Sequence, residues 1–406
     1  MSRLEVYASA LDSDRFEMVA LGSIVAERTE RASLLELPAL SVGKLGVTAQ
    51  LEGVAKQNSE VLRKVVRKGD LVINSRADRK GAAGLSLYEG SVSPVYSVMV
   101  PKPELLAAEF GHYLLRSVAF QEEFFRWGTG IVNDLWSTNF TRMARIRVPL
   151  PPLRTQKSIA SYLDRETAEI DAMLAALDEL TRNLKQRSGI VVANELKSHY
   201  LHGTIPLAFS SGADNFFDGD WVESKDQDPD GDIRLLQLAD IGDGTFLDKS
   251  NRRINQEAFE RLRCREVQAG DILIARMPHP LGRACILPTG LGRTITVVDV
   301  AVLRPDPNRI IPKYLVYVLN SISFRAQLDS LQSGSTRQRI SRSRLGQQRI
   351  PMPPVALQRA AVSHLDEVTG RINAMLAKID ELRALLIERR AALITDVVTG
   401  RKKVPE

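Results

Sequence analysis

Two stretches of the chain carry mainly hydrophobic residues at every seventh position, the spacing of a helix that packs along one face. In the first stretch the main row is Leu163, Ile170, Leu177 and Leu184, and the companion row is Ile159, Glu166, Met173 and Leu180. In the second stretch the main row is Leu365, Ile372, Ile379, Leu386 and Leu393, and the companion row is Ala361, Val368, Met375 and Leu382. The two rows correspond to the a and d positions of a coiled-coil seam, so the pattern predicts two long helices.

Each predicted helix has sequence signals at both ends. It begins just after a proline cluster, at residues 149–152 or 351–354, because proline favours extended backbone and cannot continue a preceding helix. It ends at Gly203 or Gly400, where glycine suits the left-handed conformation of a helix cap. Each helix therefore spans roughly 45 residues, or about 68 Å at 1.5 Å per residue.

The two helices are copies of one sequence, separated by 202 positions. Pro151 falls on Pro353, Gln156 on Gln358, and the repeat extends over residues 148–184 and 350–386. A repeat at this separation indicates two large modules, each closed by a long helix. A helix this long cannot bury its seam alone. It packs on its own module or, as the shared pattern favours, on the other copy as a coiled coil.

The segments before the helices also correspond. Gly69–Ile73 resembles Gly270–Ile274, and Tyr113–Leu114 resembles Tyr314–Leu315. Short β-branched runs bounded by Gly-Asp or proline predict strands, and the helices predicted beside them cover Glu104–Phe125 and Pro312–Leu331. The sequence predicts an α+β protein with two similar mixed modules, at residues 1–150 and 204–350, and repeated helices at 151–203 and 351–406.

Composition narrows the class of protein. The 406 residues, 44% of them hydrophobic, are enough for two globular domains with their own cores. The sequence has no apolar run of membrane-spanning length and no apolar secretion signal at its start, so we expect a cytoplasmic protein. Cys264 and Cys285 are too few for a disulfide framework and lack the spacing of a zinc site. The net charge of +6 permits a polyanionic partner without demanding one.

Motifs for catalysis are not found in the sequence. A base-modifying methyltransferase would show an Asn- or Asp-Pro-Pro-aromatic loop and a glycine-rich cofactor turn, and a P-loop ATPase its phosphate-binding motif. Asp228–Gly231 fits a turn better than a nuclease metal site, and the five histidines have no metal-ligand spacing. The sequence predicts a protein that is not an enzyme.

Arginine placement suggests where the chain would meet a nucleic acid. Gln332–Arg349 carries five arginines and no acidic residue, and arginine or glutamine can contact phosphates and base edges. Asn74–Lys80 and Arg276–Arg283 follow corresponding strands and are candidate reading loops. The candidate DNA-binding residues are Asn74, Arg76, Arg79, Lys80, Arg276, His279, Arg283, Arg337, Gln338, Arg339, Arg342 and Arg344.

These motifs together resemble the specificity subunit (HsdS) of type I restriction-modification systems. The resemblance rests on the I-P-x-P-P start of a Gln-containing helix, its x-A-M-L and D-E-L steps, the ending Leu393–Gly400, and the segments Arg234–Gly244 and Gly69–Ile73. It covers nearly the whole chain. It departs at Arg187–Glu195, where the first helix carries about five residues that the second does not, and at the polar ending Lys197–Tyr200.

The resemblance implies a non-catalytic subunit with two target recognition domains, separated by an antiparallel two-helix coiled coil and each reading half of a bipartite DNA target. It also implies two modification subunits that bring S-adenosylmethionine, and restriction subunits that join for cleavage. ATP and Mg²⁺ would likewise bind to those partners, and no cofactor to this chain. The alternatives are a single-chain restriction-modification enzyme and a coiled-coil scaffold without DNA function.

Overall fold

Two long helices occupy the predicted positions. In the computed structural model the first runs over Leu153–Lys197, with 45 residues, and the second over Val355–Val398, with 44 residues. Both begin directly after the proline clusters. The first helix continues as a 3-10 helix over Ser198–His202, and this segment accounts for its extra five residues. Gly203 and Gly400 follow with φ of 96° and 78°. A glycine with positive φ therefore closes each helical segment, but the ψ of 167° at Gly203 differs from the predicted left-handed cap.

The structure describes residue 11 and residues 13–43, 46–50, 62–76, 81–130, 136–278, 280–331 and 339–404. The chain divides into two units. The first contains Met1–Asp178 and Asp380–Glu406, and the second contains Glu179–Ile379. Each unit is therefore one globular module together with half of each long helix, whereas the sequence placed the boundaries at the helix ends.

The described part of the first unit is built from short strands and short helices. The strands are β1 (Glu17–Ala20), β2 (Val25–Glu27), β3 (Arg31–Ala32), β4 (Leu40–Gly43), β5 (Gly46–Ala49), β6 (Arg63–Val66), β7 (Leu71–Asn74), β8 (Ala83–Leu85), β9 (Gly90–Val92), β10 (Tyr96–Pro101) and β11 (Arg147–Leu150). The short helices cover Leu21–Ile24, Ala108–Arg116, Val118–Arg126 and Phe140–Met143. Its main sheet has the antiparallel order β2-β10-β7-β8, and β1 pairs with β11 where the chain enters and leaves the module.

The second unit repeats this plan. Its strands are β12 (Thr204–Pro206), β13 (Ser211–Asp218), β14 (Ile233–Leu236), β15 (Arg253–Ile254), β16 (Ile272–Ala275), β17 (Ala284–Ile286), β18 (Thr294–Thr296), β19 (Val300–Pro305) and β20 (Arg349–Pro351). Its short helices cover Gln256–Arg261, Pro312–Leu319, Ile322–Ser330 and Arg342–Gly346. The main sheet order is β13-β19-β16-β17, and β12 pairs with β20. Each unit therefore has its own main sheet of the same plan and its own pair of strands where the chain enters and leaves, as the corresponding segments predicted.

The units differ in the smaller sheets that flank the main one. The first has the sheet β3-β6-β9 and the hairpin β4-β5, whereas the second has β15-β14-β18. In the latter, β14 and β18 run parallel. The shared scaffold thus carries a different surface in each unit.

The helices beside the main sheet are shorter than predicted. The segment Glu104–Phe125 is not one helix, because Ser117 has extended backbone and its hydroxyl caps a new helix by accepting from Phe120 N. In the second unit Ser321 does the same for Phe324 N. Serine is a favoured N-cap residue, but this signal was missed in the sequence.

One predicted correspondence between the modules is wrong by three positions. The hydroxyl of Tyr113 donates to Asp164 at 2.6 Å, and in the second unit it is Tyr317 that donates to Asp366, at 2.7 Å. Asp164 and Asp366 are 202 positions apart, so the structural counterpart of Tyr113 is Tyr317. Tyr314 instead contacts His199 at 3.1 Å.

A buried glutamine ties each long helix to its module. Gln156 accepts from Ala107 N at 2.8 Å and donates to the carbonyls of Leu105 and Pro151, both at 2.8 Å. Gln358 repeats the arrangement with Ile311 N, Arg309 O and Pro353 O. Both side chains are fully buried. These three hydrogen bonds explain why glutamine occupies the same position in each repeat.

The two long helices pack antiparallel in each unit. In the first unit Asp171 pairs with Arg390 at 2.8 Å and Asp178 pairs with Arg383, so numbers rise along one helix as they fall along the other. In the second unit Glu195 contacts His364 at 2.8 Å. The antiparallel two-helix coiled coil is thus confirmed.

Burial separates the two predicted seam rows. Most of the main row is buried. Its buried residues are Leu163, Ile170, Leu184, Leu365, Ile372, Ile379, Leu386 and Leu393. Leu177 is partly buried. The companion row differs from the predicted seam, since Met173, Leu180, Met375 and Leu382 are exposed by 45–46%. Ile159 and Ala361 of the companion row are buried in the cores of the two units. In the middle of the helices the second row of the seam is formed instead by residues such as Leu174 and Leu376, which are partly buried.

Candidate functional site

In the second unit the fold brings two predicted segments together. The arginine-rich segment approaches the loop after β16, where Ile340 N donates to the carbonyl of Arg276 at 3.1 Å. The first unit makes the equivalent bond from Thr138 N to the carbonyl of Ser75, also at 3.1 Å. The loop that follows the central strand therefore meets the segment before the last strand in both units, although their residues differ.

Arg276 lies at the centre of this junction and is buried. Its guanidinium pairs with Asp218 at 2.9 Å and donates to the carbonyl of Val298 at 2.6 Å. Burial lowers the pKa of Arg276, and the carboxylate of Asp218 works in the opposite direction. The sequence named Arg276 as a candidate DNA-binding residue, and in the structure its guanidinium is engaged inside the unit.

Arg339 and Arg342 surround Arg276 and reach the surface. Arg339 pairs with Asp299 at 3.1 Å, while Arg342 pairs with Asp218 at 3.3 Å and donates to the carbonyl of Phe216 at 2.6 Å. Both side chains are exposed by more than a third. These contacts hold the two guanidinium groups in place and leave part of each open to solvent.

Arg344 and Arg283 take different positions. Arg344 is exposed on the short helix Arg342–Gly346, whose first turn is capped by Ser341. Arg283 is partly buried and donates to the carbonyls of Ile241 and Leu238, at 2.7 and 2.9 Å. Its interactions hold the loop that follows β14, so its main contacts are internal.

In the first unit the candidate loop is described in part. Asn74 is buried, and its side chain accepts from Arg76 N at 3.1 Å, which shapes the loop after β7. Arg76 itself is exposed and bridges to Ser137 through its backbone. The remaining candidates, Arg79, Lys80, His279, Arg337 and Gln338, lie outside the described residues. A role of these residues in DNA contact stays a prediction.

A cleft of about 610 Å³ beside the arginine-rich segment was not predicted. Asp220, Trp221, Gln237, Lys249 and Arg252 are among the residues that line it. They come from separate segments, so no sequence motif joins them. The one available signal was Trp221, a large aromatic residue within the polar run from Asp218 to Lys225.

Other kinds of site receive little support. Among the described residues no group of three metal-ligating side chains comes together, and no helix there is long and apolar enough to cross a membrane. Cys264 and Cys285 are free and buried, and burial raises the pKa of both thiols to about 12. They are ordinary core residues, as the sequence predicted.

Comparison with known proteins gives consistent relatives. The profile of the type I restriction modification DNA specificity domain matches residues 52–182 and 217–384, together more than half of the chain. The EcoKI specificity subunit of Escherichia coli is 21% identical over 79% of this chain and 73% of its own length. The EcoBI specificity subunit, also from E. coli, is 24% identical over 60% of this chain. That match spans 57% of the EcoBI subunit, which is less than two thirds of its length.

A putative MjaX specificity subunit from Methanocaldococcus jannaschii is 20% identical over 96% of this chain and 92% of its own length. Two solved structures share the fold. One comes from a study of complex assembly and conformational transition of the type I R-M system, with a TM-score of 0.65 and 18% identity over 96% of this chain and 100% of the other. The HsdS subunit from Thermoanaerobacter tengcongensis has a TM-score of 0.50 and 19% identity over 96% and 98%. Since the family profile matches both repeats, the chain belongs to the type I restriction-modification DNA specificity family.

Proposed function

We propose that this chain is the non-catalytic subunit that recognises DNA in a type I restriction-modification complex. Each unit would read one half of a bipartite target. The observation that carries the proposal is the junction described above: in both units the loop after the central strand meets the segment before the last strand. The shared scaffold presents different side chains at this junction, which suits two different half-sites.

The arginines of the second junction support DNA contact. Arg339 and Arg342 already bind the carboxylates of Asp299 and Asp218, so their guanidinium groups are held near the surface before DNA arrives. Arginine presents several donors in a planar fork that matches phosphate oxygens and the guanine edge. Since surface ion pairs are weak, phosphate can replace a carboxylate at little cost.

The candidates fall into two groups under this proposal. Asn74, Arg276 and Arg283 shape the loops from inside. Direct contact is proposed for Arg76, Arg79, Lys80, His279, Arg337, Gln338, Arg339, Arg342 and Arg344.

Partner binding would use the long helices. Four residues of the companion row, Met173 and Leu382 in the first unit and Leu180 and Met375 in the second, offer apolar side chains that are nearly half exposed. We propose that the two modification subunits dock there. S-adenosylmethionine, ATP and Mg²⁺ would bind to the modification and restriction subunits, in the cytoplasm of a bacterium or archaeon.

The test compares two double substitutions in the chain bound to its modification subunits. Arg339→Ala with Arg342→Ala should weaken binding to target DNA and reduce the slope of log affinity against log salt by about two, because each phosphate contact contributes about 0.9. Arg359→Ala with Arg371→Ala removes the same charge from exposed positions on the second long helix and should leave the slope unchanged.

Thermal unfolding of all variants separates DNA contact from stability, since Arg339 and Arg342 also make internal ion pairs. If the first pair keeps its salt slope while the complex stays assembled, these two arginines do not contact phosphates.

A further inference from the structure

The cleft in the second unit is a built feature of its smaller sheet. The parallel strands β14 and β18 end at Leu236 and Thr296, and Asp220 forms a parallel bridge with Val297 on the other side of β18. The cleft opens where these segments end, and the carboxyl ends of parallel strands are where α/β sheets form ligand crevices. Gln237 and Asp220 thus stand on opposite sides of one strand, roughly 10 Å apart at about 4.8 Å per strand.

Two polar groups of the cleft have unused bonding capacity. The side chain of Gln237 accepts from Asp240 N through its oxygen, while its Nε2 is buried and has no acceptor among the described residues. Asp220 accepts from Arg265 N through Oδ2 at 3.1 Å, and no described residue donates to its Oδ1. Burial raises the pKa of Asp220 to about 6, against the opposing effect of Arg265. The partly buried carboxylate of Asp220 therefore has capacity for a ligand in the cleft, whereas Gln237 Nε2 is enclosed within the protein and does not reach it.

The walls and rim add an aromatic face and positive charge. Trp221 is 67% exposed, which is unusual for so large an aromatic side chain, and its ring nitrogen is held by Glu223 at 3.4 Å. Aromatic side chains with an open face stack nucleobases. Lys249 and Arg252 line the same cleft and can bind a phosphate.

We propose that this cleft binds a nucleotide whose base carries an exocyclic amino group: adenine, cytosine or guanine. The base stacks on Trp221 and its amino group donates to Asp220. The phosphate lies toward Lys249 and Arg252. Thymine has no amino group to donate, so it fits less well.

The site goes beyond the proposed DNA recognition and does not depend on it. Its ligand could be a free nucleotide or an unstacked nucleotide of a bound DNA strand, which share this chemistry. At about 610 Å³ the cleft is wide enough for a base with its sugar.

The first test measures binding of dAMP, dCMP, dGMP and dTMP to the full chain by calorimetry. We expect saturable binding of dAMP, dCMP and dGMP and weaker binding of dTMP. Asp220→Asn and Trp221→Ala should each lower the affinity for dAMP by about tenfold, the scale of one base contact or one stacking contact. Asp230→Asn is the matched control, because Asp230 is an exposed carboxylate of the same unit that does not line the cleft.

Several results would overturn the site. These are no saturable binding of dAMP or dCMP in the millimolar range, equal binding of all four nucleotides, or wild-type affinity in both cleft variants. Circular dichroism of each variant shows whether the unit is folded, and Trp221→Phe serves if the alanine variant is not. Its smaller ring should keep part of the dAMP affinity.

A second arm identifies the source of the nucleotide. A duplex with one unpaired adenine is compared with a fully paired duplex as a competitor of dAMP. Competition by the unpaired adenine alone assigns the site to an unstacked base of DNA, whereas competition by neither duplex assigns it to a free nucleotide. Because the affinity for target DNA is measured separately on the assembled complex, either proposal can fail while the other stands.

Discussion

Gln358 illustrates how much one side chain contributes at the residue scale. Replacing it with alanine would remove three hydrogen bonds and leave Ile311 N and two carbonyl oxygens buried without partners. We expect Gln358→Ala to lower the free energy of unfolding by about 3 kcal/mol. Urea unfolding of the full chain measures the change.

Two further variants make that measurement specific. Gln347→Ala alters an exposed glutamine of the same unit and should cost less than about 0.5 kcal/mol. Gln358→Glu keeps the shape but sets a carboxylate against two carbonyl oxygens, so part of its loss should be recovered as falling pH protonates it. Equal stability of the alanine variant and the wild type would show that the glutamine does not tie the helix to the module.

Asp220 is predicted to make stability depend on pH. Its carboxyl group ionises near pH 6 in the folded chain, above its ordinary pKa of 3.8. Between these values the folded chain binds more protons than the unfolded chain, so raising the pH favours unfolding, and the penalty is complete above about pH 6. Asp220→Asn cannot ionise. Its stability relative to wild type should rise between about pH 4 and about pH 6 and then stay level.

Urea unfolding across this pH range tests the prediction at Asp220. The matched variant Asp230→Asn changes an exposed carboxylate and should show no such rise. A constant difference between Asp220→Asn and wild type at every pH would mean that burial does not disfavour the charged form of Asp220.

At the scale of elements, the second long helix has a buried and an exposed leucine one turn apart. Leu386 is 6% exposed and Leu382 is 45% exposed. We expect Leu386→Ala to lower the free energy of unfolding by about 2–4 kcal/mol and Leu382→Ala by less than about 1 kcal/mol. Urea unfolding compares them, and equal losses would contradict the separation of the two rows.

The two units differ where the long helices meet the short ones. In the first unit Asp171 pairs with Arg390 at 2.8 Å, and the two charges act on the pKa of nearby Arg116 in opposite directions. The same positions of the second unit hold Asn373 and Ser188, which line a cavity of about 510 Å³. The first unit thus shows that these two positions can hold an ion pair between the long helices.

Ser188→Arg together with Asn373→Asp should rebuild the ion pair in the second unit. A double-mutant cycle in urea is expected to give a favourable coupling of about 0.5 kcal/mol, as for other partly exposed pairs. Ser188→Arg alone adds a cation without its partner and should give no gain. Zero coupling would mean that the two helices do not hold these positions as the first unit holds Asp171 and Arg390.

At the scale of the whole molecule, the chain enters and leaves the second module through one strand pair. Thr204 pairs with Pro351 and Pro206 with Arg349, so the two ends of this segment lie side by side. A module with adjacent ends can be exchanged as one piece. Replacing residues 204–351 by the equivalent module of a relative should change one half of the methylated sequence and preserve the other.

Genome-wide mapping of methylated adenines, in cells that carry the modification subunits, reads this exchange directly. A chain with its own second module rejoined at the same boundaries is the control. Changes in both halves of the recognised sequence would contradict independent reading by the two units.

The order of the amino acids was enough to predict the elements that depend on neighbouring residues. The heptad rows and proline clusters fixed the two long helices to within a few residues, and the shift of 202 placed Gln156 and Gln358 at equivalent positions. Periodicity and backbone restriction act between residues that are close along the chain. Their effects can therefore be predicted from the sequence.

Which side chains are available to a ligand depends on packing between distant segments. Arg276 and Asn74 belong to segments with the composition of a binding surface, yet Arg276 is buried and pairs with Asp218, and Asn74 is the buried last residue of β7. Met375 and Leu382 are exposed because the second row of the seam is formed by other residues, such as Leu376, and heptad spacing does not state which row the partner helix covers. The cleft of Asp220 and Gln237 joins the ends of strands distant in sequence. Burial and pairing between distant segments are set by packing, and packing has no signature in local order.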